Sequence, residues 1–428
     1  MNKNSDTKEF ILKQASEHDV KFIRLWFTDI LGRLKGFAIN VEDLEDSIDK
    51  GVMFDGGAIE GLARATESDT LAIPDLSTWQ ILPWRPNENS VARLFCNLKS
   101  FDNSDSIVDS RKVLQDKLVE ANQYGYKFYV GPEIEYYFLD NNKEIIDGDD
   151  AGYFDQTSDD NTGANLRREC VLNLEQMGIP VRSSHHEVSS GQHEISLKHT
   201  DALTMADSII TTRLIVKQTA IKHGGFATFM PRPFEYLNGS GLHFHLSLYE
   251  GENNAFGAKK NKTLSKLGEG FLAGLLHYSS EMALVTNQWL NSYKRLIPNL
   301  EAPIAGMGKE IKISNIVRVP HINAGDVDNS RIEFRLPDSA CNPYLALSAI
   351  LHAGIEGIKK NLAVPKNWES NIPNTLYDAI KESQKGNFLQ DAIGIDAYNS
   401  ILINKEKEWI EHNLVVTDYE RNFYMKFL

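Results

Sequence analysis

The chain has 428 residues, of which 42% are apolar, 10% aromatic and 24% charged, proportions that exclude a disordered or fibrous chain and allow two or three domains around a large core. Its 45 Lys and Arg against 59 Asp and Glu leave a formal charge of −14, which argues against nucleic acid or an anionic membrane as a main partner but not against an anionic substrate held through cations. Three scattered cysteines, Cys96, Cys170 and Cys341, form no CxxC pair, excluding a disulfide framework or a thiolate zinc site, and no apolar run nears the ~20 residues of a membrane span. With a polar start, a reducing cytoplasm is the expected location.

In chain order, a helix is expected near Thr7–His18, followed by strands at Lys21–Phe27 and Leu34–Ile39 joined through Asp29–Gly32. Pro74–Pro86 reads as an irregular connection and Val91–Leu98 as a strand. The polar stretch Asn97–Ser110 marks a domain boundary, placed at 103/104, so that 1–103 and 104–428 are separate units. Beyond it come a helix at Ser110–Tyr124 and strands at Phe128–Leu139, Glu187–Leu197, Gly241–Tyr249 and Arg331–Leu336. Helices are expected over Ala202–His223, Lys266–Gln288, Tyr344–Lys360 and Asp391–His412. The order is not a regular βαβ series, so the class is α+β.

Carboxylates recur on single strand faces. Glu133 and Glu135 are two apart in GPEIEYYF and therefore project to one side. Taken alone, the pair fits a solvent-facing strand. Glu187 and Glu194 bracket a hairpin in HHEVSSGQHEISL, with Gly191 available for the turn; His243 and His245 share a face of GLHFHLSL, and Glu333 and Arg335 share one in RIEFRL. Four such strands describe the wall of a polar cavity. Clustered acids repel and are costly to bury without a counter-charge, and an oxygen-rich set with at most one imidazole per metal suits Mg²⁺ or Mn²⁺. His223, His277 and His352 read as ordinary helix residues. Arg295, Arg318, Arg331 and Arg335 are surface pairs or, beside a metal site, clamps for carboxylate or phosphate oxygens. Acids, metals and arginines together are the equipment of phosphoryl transfer. Neither a Walker-type nor a dinucleotide-binding glycine motif is present.

Seven collinear segments carry a specific likeness: FDGGAIEGLARATESD (Phe54–Asp69), GPEIEYYF, GYFD (Gly152–Asp155), HHEVSSGQHEI (His185–Ile195), NGSGLHFHLSL (Asn238–Leu248), NSYKRLIP (Asn291–Pro298) and RIEFRLPDSACNPYLAL (Arg331–Leu347). In these the chain resembles the type I glutamine synthetases of the short kind, without an adenylylation segment. The resemblance implies an N-terminal β-grasp-like domain and a catalytic domain with a curved antiparallel sheet. It also implies homo-oligomeric rings, commonly two stacked hexamers, with active sites shared between neighbours. By resemblance Glu135, Glu187 and Glu194 hold one metal, and Glu133, His243 and Glu333 the other. Asn238 and Gly239 contact L-glutamate, and Arg295 and Arg335 grip its carboxylates. His245, Ser247, Arg318 and Arg331 lie along ATP, with Arg318 also catalytic. Asp55 from a neighbouring subunit deprotonates ammonium in a pocket completed by Tyr153 and Glu301, the latter on a closing flap.

The chain departs from the family where A-R-N-R-S reads Glu310-Ile311-Lys312-Ile313-Ser314. Isoleucine at 313 removes a cation that helps bind the transferring phosphate, a loss worth about 10²–10³ in rate; Lys312 points to the opposite face if the segment is extended. Ala58 replaces a serine in the ammonium loop, and Ile304–Lys309 (IAGMGK) is atypical. Arg64 sits where short type I enzymes respond to glutamine. Three readings stay open: synthesis of glutamine from L-glutamate and ammonia, γ-glutamyl ligation to an organic amine, and a weakly catalytic regulatory or structural paralogue.

Overall fold

The computed structural model describes residues 3–59, 69–100, 109–146, 148–149, 152–155, 162–257, 264–297, 300–303, 316–321, 327–365 and 372–428. The tract 304–309, Ile311, Lys312, Ile313 and Arg64 lie outside these residues.

The N-terminal unit is organised by the alternation of Val20–Thr28 (β1). Ile23, Leu25 and Phe27 face one way and pack with Ile11 and Ala15 of the helix Lys3–Glu17, with Leu44, and with Ala92, Leu94, Cys96 and Leu98. Trp26 faces the other way and meets Phe95 edge-on at 5.6 Å, both belonging to the large core of the rest of the chain. With Leu34–Asn40 (β2), Val52–Asp55 (β3), Asp69–Pro74 (β4), Gln80–Ile81 (β5) and Ser90–Ser100 (β6), the sheet runs β2-β1-β6-β4-β3, β5 adding to β6. The β1–β6 pair is parallel and the others are antiparallel. This is the expected β-grasp-like arrangement.

The second sheet is antiparallel throughout and carries the candidate site. Its path is β14-β15-β12-β7-β9-β8, formed by Val317–Arg318 (β14), Ile332–Phe334 (β15), Leu242–Glu250 (β12), Tyr126–Leu139 (β7), Gln192–Leu197 (β9) and Val181–His186 (β8). Thr200–Asp201 (β10) and Phe226–Thr228 (β11) also pair with β7, and Asn253–Asn254 (β13) with β12. The long β7 changes partners along its length, taking β12 over Tyr126–Ile134 and β9 over Glu133–Tyr137, so the sheet curls. Val130, Ile134, Tyr136 and Phe138 of β7 and Leu242, Phe244, Leu246 and Leu248 of β12 are buried on its helix-covered side. Parity then leaves the acids and imidazoles on the inner face.

Several expectations need correction. The single helix expected over 266–288 is two, Lys266–His277 and Ser279–Thr286, interrupted at Tyr278, whose ring stacks on Phe388 at 4.3 Å and whose hydroxyl accepts from Lys360 Nζ. The helix expected over 391–412 is broken at Gly394 into Phe388–Ile393 and Ile395–Asn413. Glu187 lies in a turn and not in a strand: its N–H donates to Gln192 O at 2.8 Å, closing Glu187–Gly191 between β8 and β9. The 74–86 connection contains a short 3-10 turn at Leu76–Thr78 as well as β5. Helices Leu44–Lys50, Thr162–Gln176 and Leu376–Ser383 were not anticipated.

The two sheets are fastened by buried polar contacts. Arg111 donates to Asp207 from Nε at 3.0 Å and from Nη2 at 2.9 Å, and reaches back to Asp75 at 2.8 Å and Asn97 at 2.7 Å. Fully satisfied, such a network specifies one docking geometry. The turn after β1 is held the same way: Leu31 O accepts from Gln288 Nε2 at 2.8 Å and Ile30 O from Asn342 Nδ2 at 3.0 Å.

Gly32 in this turn has φ +75°, and a Cβ there would stand 2.7 Å from Asn342 Cα. Gly32→Ala therefore combines a left-handed penalty of about 1–2 kcal/mol with a backbone contact. The expected result is a fall of about 2–4 °C in the thermal midpoint; an unchanged midpoint in a melting experiment would contradict the docking described.

Candidate active site

Cross-strand register brings together what parity only aligns. His243 stands opposite Glu133, Glu135 opposite Glu194, and Glu333 opposite both His245 and Arg318. The wall so formed bounds a cavity of about 700 Å³, which Tyr153, His185, Glu187, Asn238, Gly239, Arg295, Glu301 and Arg335 also line. Glu133, His243 and Glu333 each offer one donor atom within 4.8 Å of the others, as do His185, Glu187 and Glu194. His185 was not singled out from sequence. Its signal lay in the HHE run, where it sits two residues from Glu187, and the pairing His185↔Glu194 makes it a neighbour of both acids. Glu135, expected beside Glu187 and Glu194, has Oε2 accepting from Gly241 N at 2.7 Å and Gln192 Nε2 at 3.3 Å, while Oε1 lies 3.6 Å from His243 Nε2.

The electrostatics of this wall ask for a cation. Burial, reinforced by the charge of Glu187 and opposed by His243 and Arg295, raises the proton affinity of Glu135. Burial and the charges of Glu133 and Glu135 push Glu194 well above the ordinary carboxylate range. Glu133 goes the other way: burial is outweighed by hydrogen bonds from His243 and His245, at 3.4 and 2.7 Å, which hold it ionised far below that range. Buried Glu333 Oε2 and His185 Nε2 make no hydrogen bond and have only ion-pair contacts, to Arg318 Nε at 3.0 Å and Glu187 Oε1 at 3.1 Å. Five carboxylates and the His243 imidazole, with His185 in reserve, fit a pair of hard divalent ions such as Mg²⁺ or Mn²⁺.

Three arginines surround the acids. Arg318 Nε and Arg335 Nε lie 3.0 and 3.1 Å from the two oxygens of Glu333. Arg295 is buried, spanning Leu336 O at 2.9 Å and Arg335 O at 3.1 Å. Beside it, a Cβ at Gly239 would meet Pro231 O at 2.5 Å, so only glycine fits that approach. Asn238 Nδ2 donates to Glu301 Oε2 at 2.9 Å, and Leu300 and Glu301 are consecutive left-handed residues at φ 51° and 56°. For non-glycine residues that backbone is strained.

A second hollow of about 180 Å³ adjoins the first, sharing Glu133 with it and lined by Arg182, Ser196, His245, Ser247 and Arg331. His245, Ser247 and Arg331 of the expected nucleotide set are here, whereas Arg318 lines the larger cavity. Arg331 Nε donates to His245 Nδ1 at 3.3 Å, which leaves the imidazole proton on Nε2, directed at Glu133. Tyr153 is 55% exposed at the cavity mouth with its ring edge-on to His185 at 5.5 Å. Asp55 does not line either hollow: it ends β3 in the N-terminal unit, exposed, and accepts from Gly57 N at 2.9 Å. The three lone histidines are structural in their contacts. His223 pairs with Glu169 at 2.7 Å, His277 lies edge-on to Tyr278, and burial beside Phe388 pushes His352 down to about 4.

Residues 19–100 match the family model "Glutamine synthetase, beta-Grasp domain", and residues 107–424 match "Glutamine synthetase, catalytic domain". The chain is 42% identical to a glutamine synthetase of Mycolicibacterium smegmatis over 441 aligned positions, covering 98% of this chain and 99% of that one. It is likewise 42% identical to a glutamine synthetase of Staphylococcus aureus over 450 positions, covering 100% of both. Among solved structures, a GmaS/ADP complex superposes with a TM-score of 0.86 at 27% identity over 97% of this chain and 99% of that one. Plasmodium falciparum glutamine synthetase shares the fold, with a TM-score of 0.86 at 24% identity over 99% of both chains.

If the acid wall binds divalent cations, Mn²⁺ at 100 times its dissociation constant stabilises the folded protein by about 2.7 kcal/mol. The expected observation is a rise in thermal midpoint with Mn²⁺ that EDTA reverses and Glu135→Ala diminishes. A midpoint indifferent to Mn²⁺ would contradict the assignment.

Proposed function

Since the chain belongs to the glutamine synthetase family, we propose that it is an ATP-dependent γ-glutamyl ligase that makes glutamine from L-glutamate and ammonia, through γ-glutamyl phosphate. The observation that carries this reading is the convergence of Glu133, Glu135, Glu187, Glu194, His243 and Glu333 on one cavity that shares Glu133 with a hollow lined by His245, Ser247 and Arg331. A catalytic unit at 104–428 and a β-grasp unit at 1–103 accord with it.

Glutamate enters the larger hollow, where Arg295 and Arg335 hold its carboxylates and Asn238 with Gly239 fixes the amino-acid end. ATP enters through the smaller hollow along His245, Ser247 and Arg331, its phosphates reaching Arg318 in the larger one; that the structurally similar GmaS is a complex with ADP supports an adenine nucleotide as the co-substrate. When bound, two Mg²⁺ or Mn²⁺ ions held by the two acid sets supply neutralisation of the phosphate oxygens. An oxygen of the γ-carboxylate attacks the γ-phosphorus, ADP leaves, and Arg318 and Arg335 stabilise the charge spread over the transferring group. Ammonium cannot attack until it loses a proton. Asp55, contributed by a neighbouring subunit, accepts that proton. Ammonia then attacks the acyl carbon, phosphate departs, and Glu301 takes the proton shed as the amide forms. The Asn238–Glu301 hydrogen bond at 2.9 Å supports this role, in which the carboxylate covers the substrate and keeps water from the acyl phosphate.

A ring of subunits, two hexamers stacked as a dodecamer, supplies Asp55 to each site. We place the enzyme in the cytoplasm; no described helix is long and apolar enough to cross a membrane. The second reading, an organic primary amine as acceptor, is favoured by the partly exposed Tyr153, Val188 and Leu300 that rim the acceptor end. A weakly catalytic paralogue is disfavoured by clustered acids that a cation-free role would leave in mutual repulsion.

Coupled measurement of ADP release with glutamate and either ammonia or a panel of primary amines decides among the three: ammonia-dependent turnover is expected, dependence on one amine would select the second reading, and silence with every acceptor would overturn both. Glu135→Ala should lower turnover by about 10²-fold or more while the assembly persists on size-exclusion chromatography. Ile313→Arg should preserve or raise activity, and a folded variant with sharply lower activity would show a site rebuilt around isoleucine.

A further inference from the structure

A third trio that sequence reasoning did not single out lies behind the metal hairpin. Asp149, His186 and His193 are buried, with relative exposures of 1%, 0% and 0%, and offer donor atoms within 4.8 Å of one another. The geometry does not suit a cation. Arg167 Nη1 donates to His193 Nδ1 at 2.6 Å, which puts the imidazole proton on Nε2, and Nε2 points at Asp149 Oδ2 at 2.8 Å. His193 therefore has no lone pair left for a metal.

The cluster is instead a junction between two parts of the active site. Asp149 Oδ1 lies 3.3 Å from His186 Nε2 in an ion-pair contact without hydrogen-bond geometry, and the Asp149 backbone carbonyl accepts from Gly191 N at 2.7 Å, closing the turn that carries Glu187. His186 Nδ1 is directed at Glu187 O at 2.5 Å and Gly152 O at 3.0 Å, while its carbonyl accepts from Phe154 N at 3.0 Å. Arg167 also pairs with Asp155. One oxygen of the Asp149 carboxylate thus holds His193 by a hydrogen bond and the other stands in ion-pair contact with His186, the two imidazoles lying side by side across β8 and β9. Those imidazoles seat the hairpin of Glu187 and Glu194 on one side and the Gly152–Asp155 segment of Tyr153 on the other.

We infer that Asp149 is a positioning residue which, through His186 and His193, locks the metal-binding hairpin and the Tyr153 acceptor loop into one rigid body. The inference rests on the ligase reading for the identity of these two ends. Outer-shell partners of this kind are worth about 10–100-fold in metal affinity. The number of polar atoms at position 149 should set the size of the effect. Asparagine keeps a two-atom fork, serine can hold only one imidazole, and alanine holds neither.

The test is a graded series, Asp149→Asn, Asp149→Ser and Asp149→Ala. Mn²⁺ binding is followed by electron paramagnetic resonance titration, with stoichiometry reporting the folded fraction, and KM is measured for ATP and for the acceptor that wild type uses. We expect Mn²⁺ affinity to fall about 10–100-fold in Asp149→Ala, less in Asp149→Ser, and to recover to within about threefold of wild type in Asp149→Asn. The acceptor KM should rise in the same order while the ATP KM moves by less than about twofold. If Asp149→Ala does not assemble, Asp149→Ser carries the same measurement. A folded Asp149→Ser or Asp149→Ala with wild-type Mn²⁺ affinity overturns the inference, as does an asparagine variant as impaired as alanine or a parallel change in all three parameters. Should wild type turn over with no acceptor, the ligase reading fails, yet the Mn²⁺ series still decides whether Asp149 positions the hairpin.

Discussion

The controlling constraint in this molecule is electrostatic: five carboxylates, four on neighbouring strands and Glu187 in the turn between two of them, share one hollow. Carboxylates this close cannot all remain ionised without compensation. The protein compensates in different ways at different positions. Glu133 is satisfied by imidazoles, Glu333 by two arginines, and Glu135 by backbone and amide donors, while Glu194 is left with a raised proton affinity. Those differences are set by strand register. A slip of one residue in β12 against β7 would bury the imidazoles among Val130, Ile134 and Tyr136 and turn Leu242, Phe244 and Leu246 toward the acids.

What makes such register tenable is the apolar side of the same sheet. Val130, Ile134 and Tyr136 of β7 and Leu242, Phe244 and Leu246 of β12 are almost fully buried against the helices, so the charged face has no freedom to rotate outward. The polar wall and the core are two consequences of one alternation. The N-terminal sheet obeys the same logic: β1 sends Ile23, Leu25 and Phe27 into its own core and Trp26 into the larger one, so the two units share a strand's two faces as well as the Arg111 network.

Much of this was legible in the sequence, and what was not has physical reasons. Period-two spacing exposed Glu133 with Glu135 and His243 with His245, because alternation is a local property of a strand. Which residue faces which across strands is not local. His243 opposite Glu133 and Glu333 opposite Arg318 follow from long-range pairing that a single chain does not display. The helix breaks at Tyr278 and Gly394 were hidden because the tertiary stacking of Tyr278 on Phe388 decides the first, and a lone glycine in a helical pattern is ambiguous. Asp149 escaped notice for the same reason as His185: each matters through partners brought close by the β8–β9 hairpin.

Among the described residues, Glu133 is the one acid that borders both hollows, and it is held as an anion by two imidazoles. Any compound built to fill the two compartments at once has to thread its connecting atoms past a fixed negative charge. With the divalent ions of the proposed ligase held there, a phosphonate-type tether would be drawn in; only in the ion-free protein would it be repelled and an ammonium or amidine spacer favoured. Bisubstrate inhibitor chemistry for this protein therefore starts from the polarity of the linker more than from either head group.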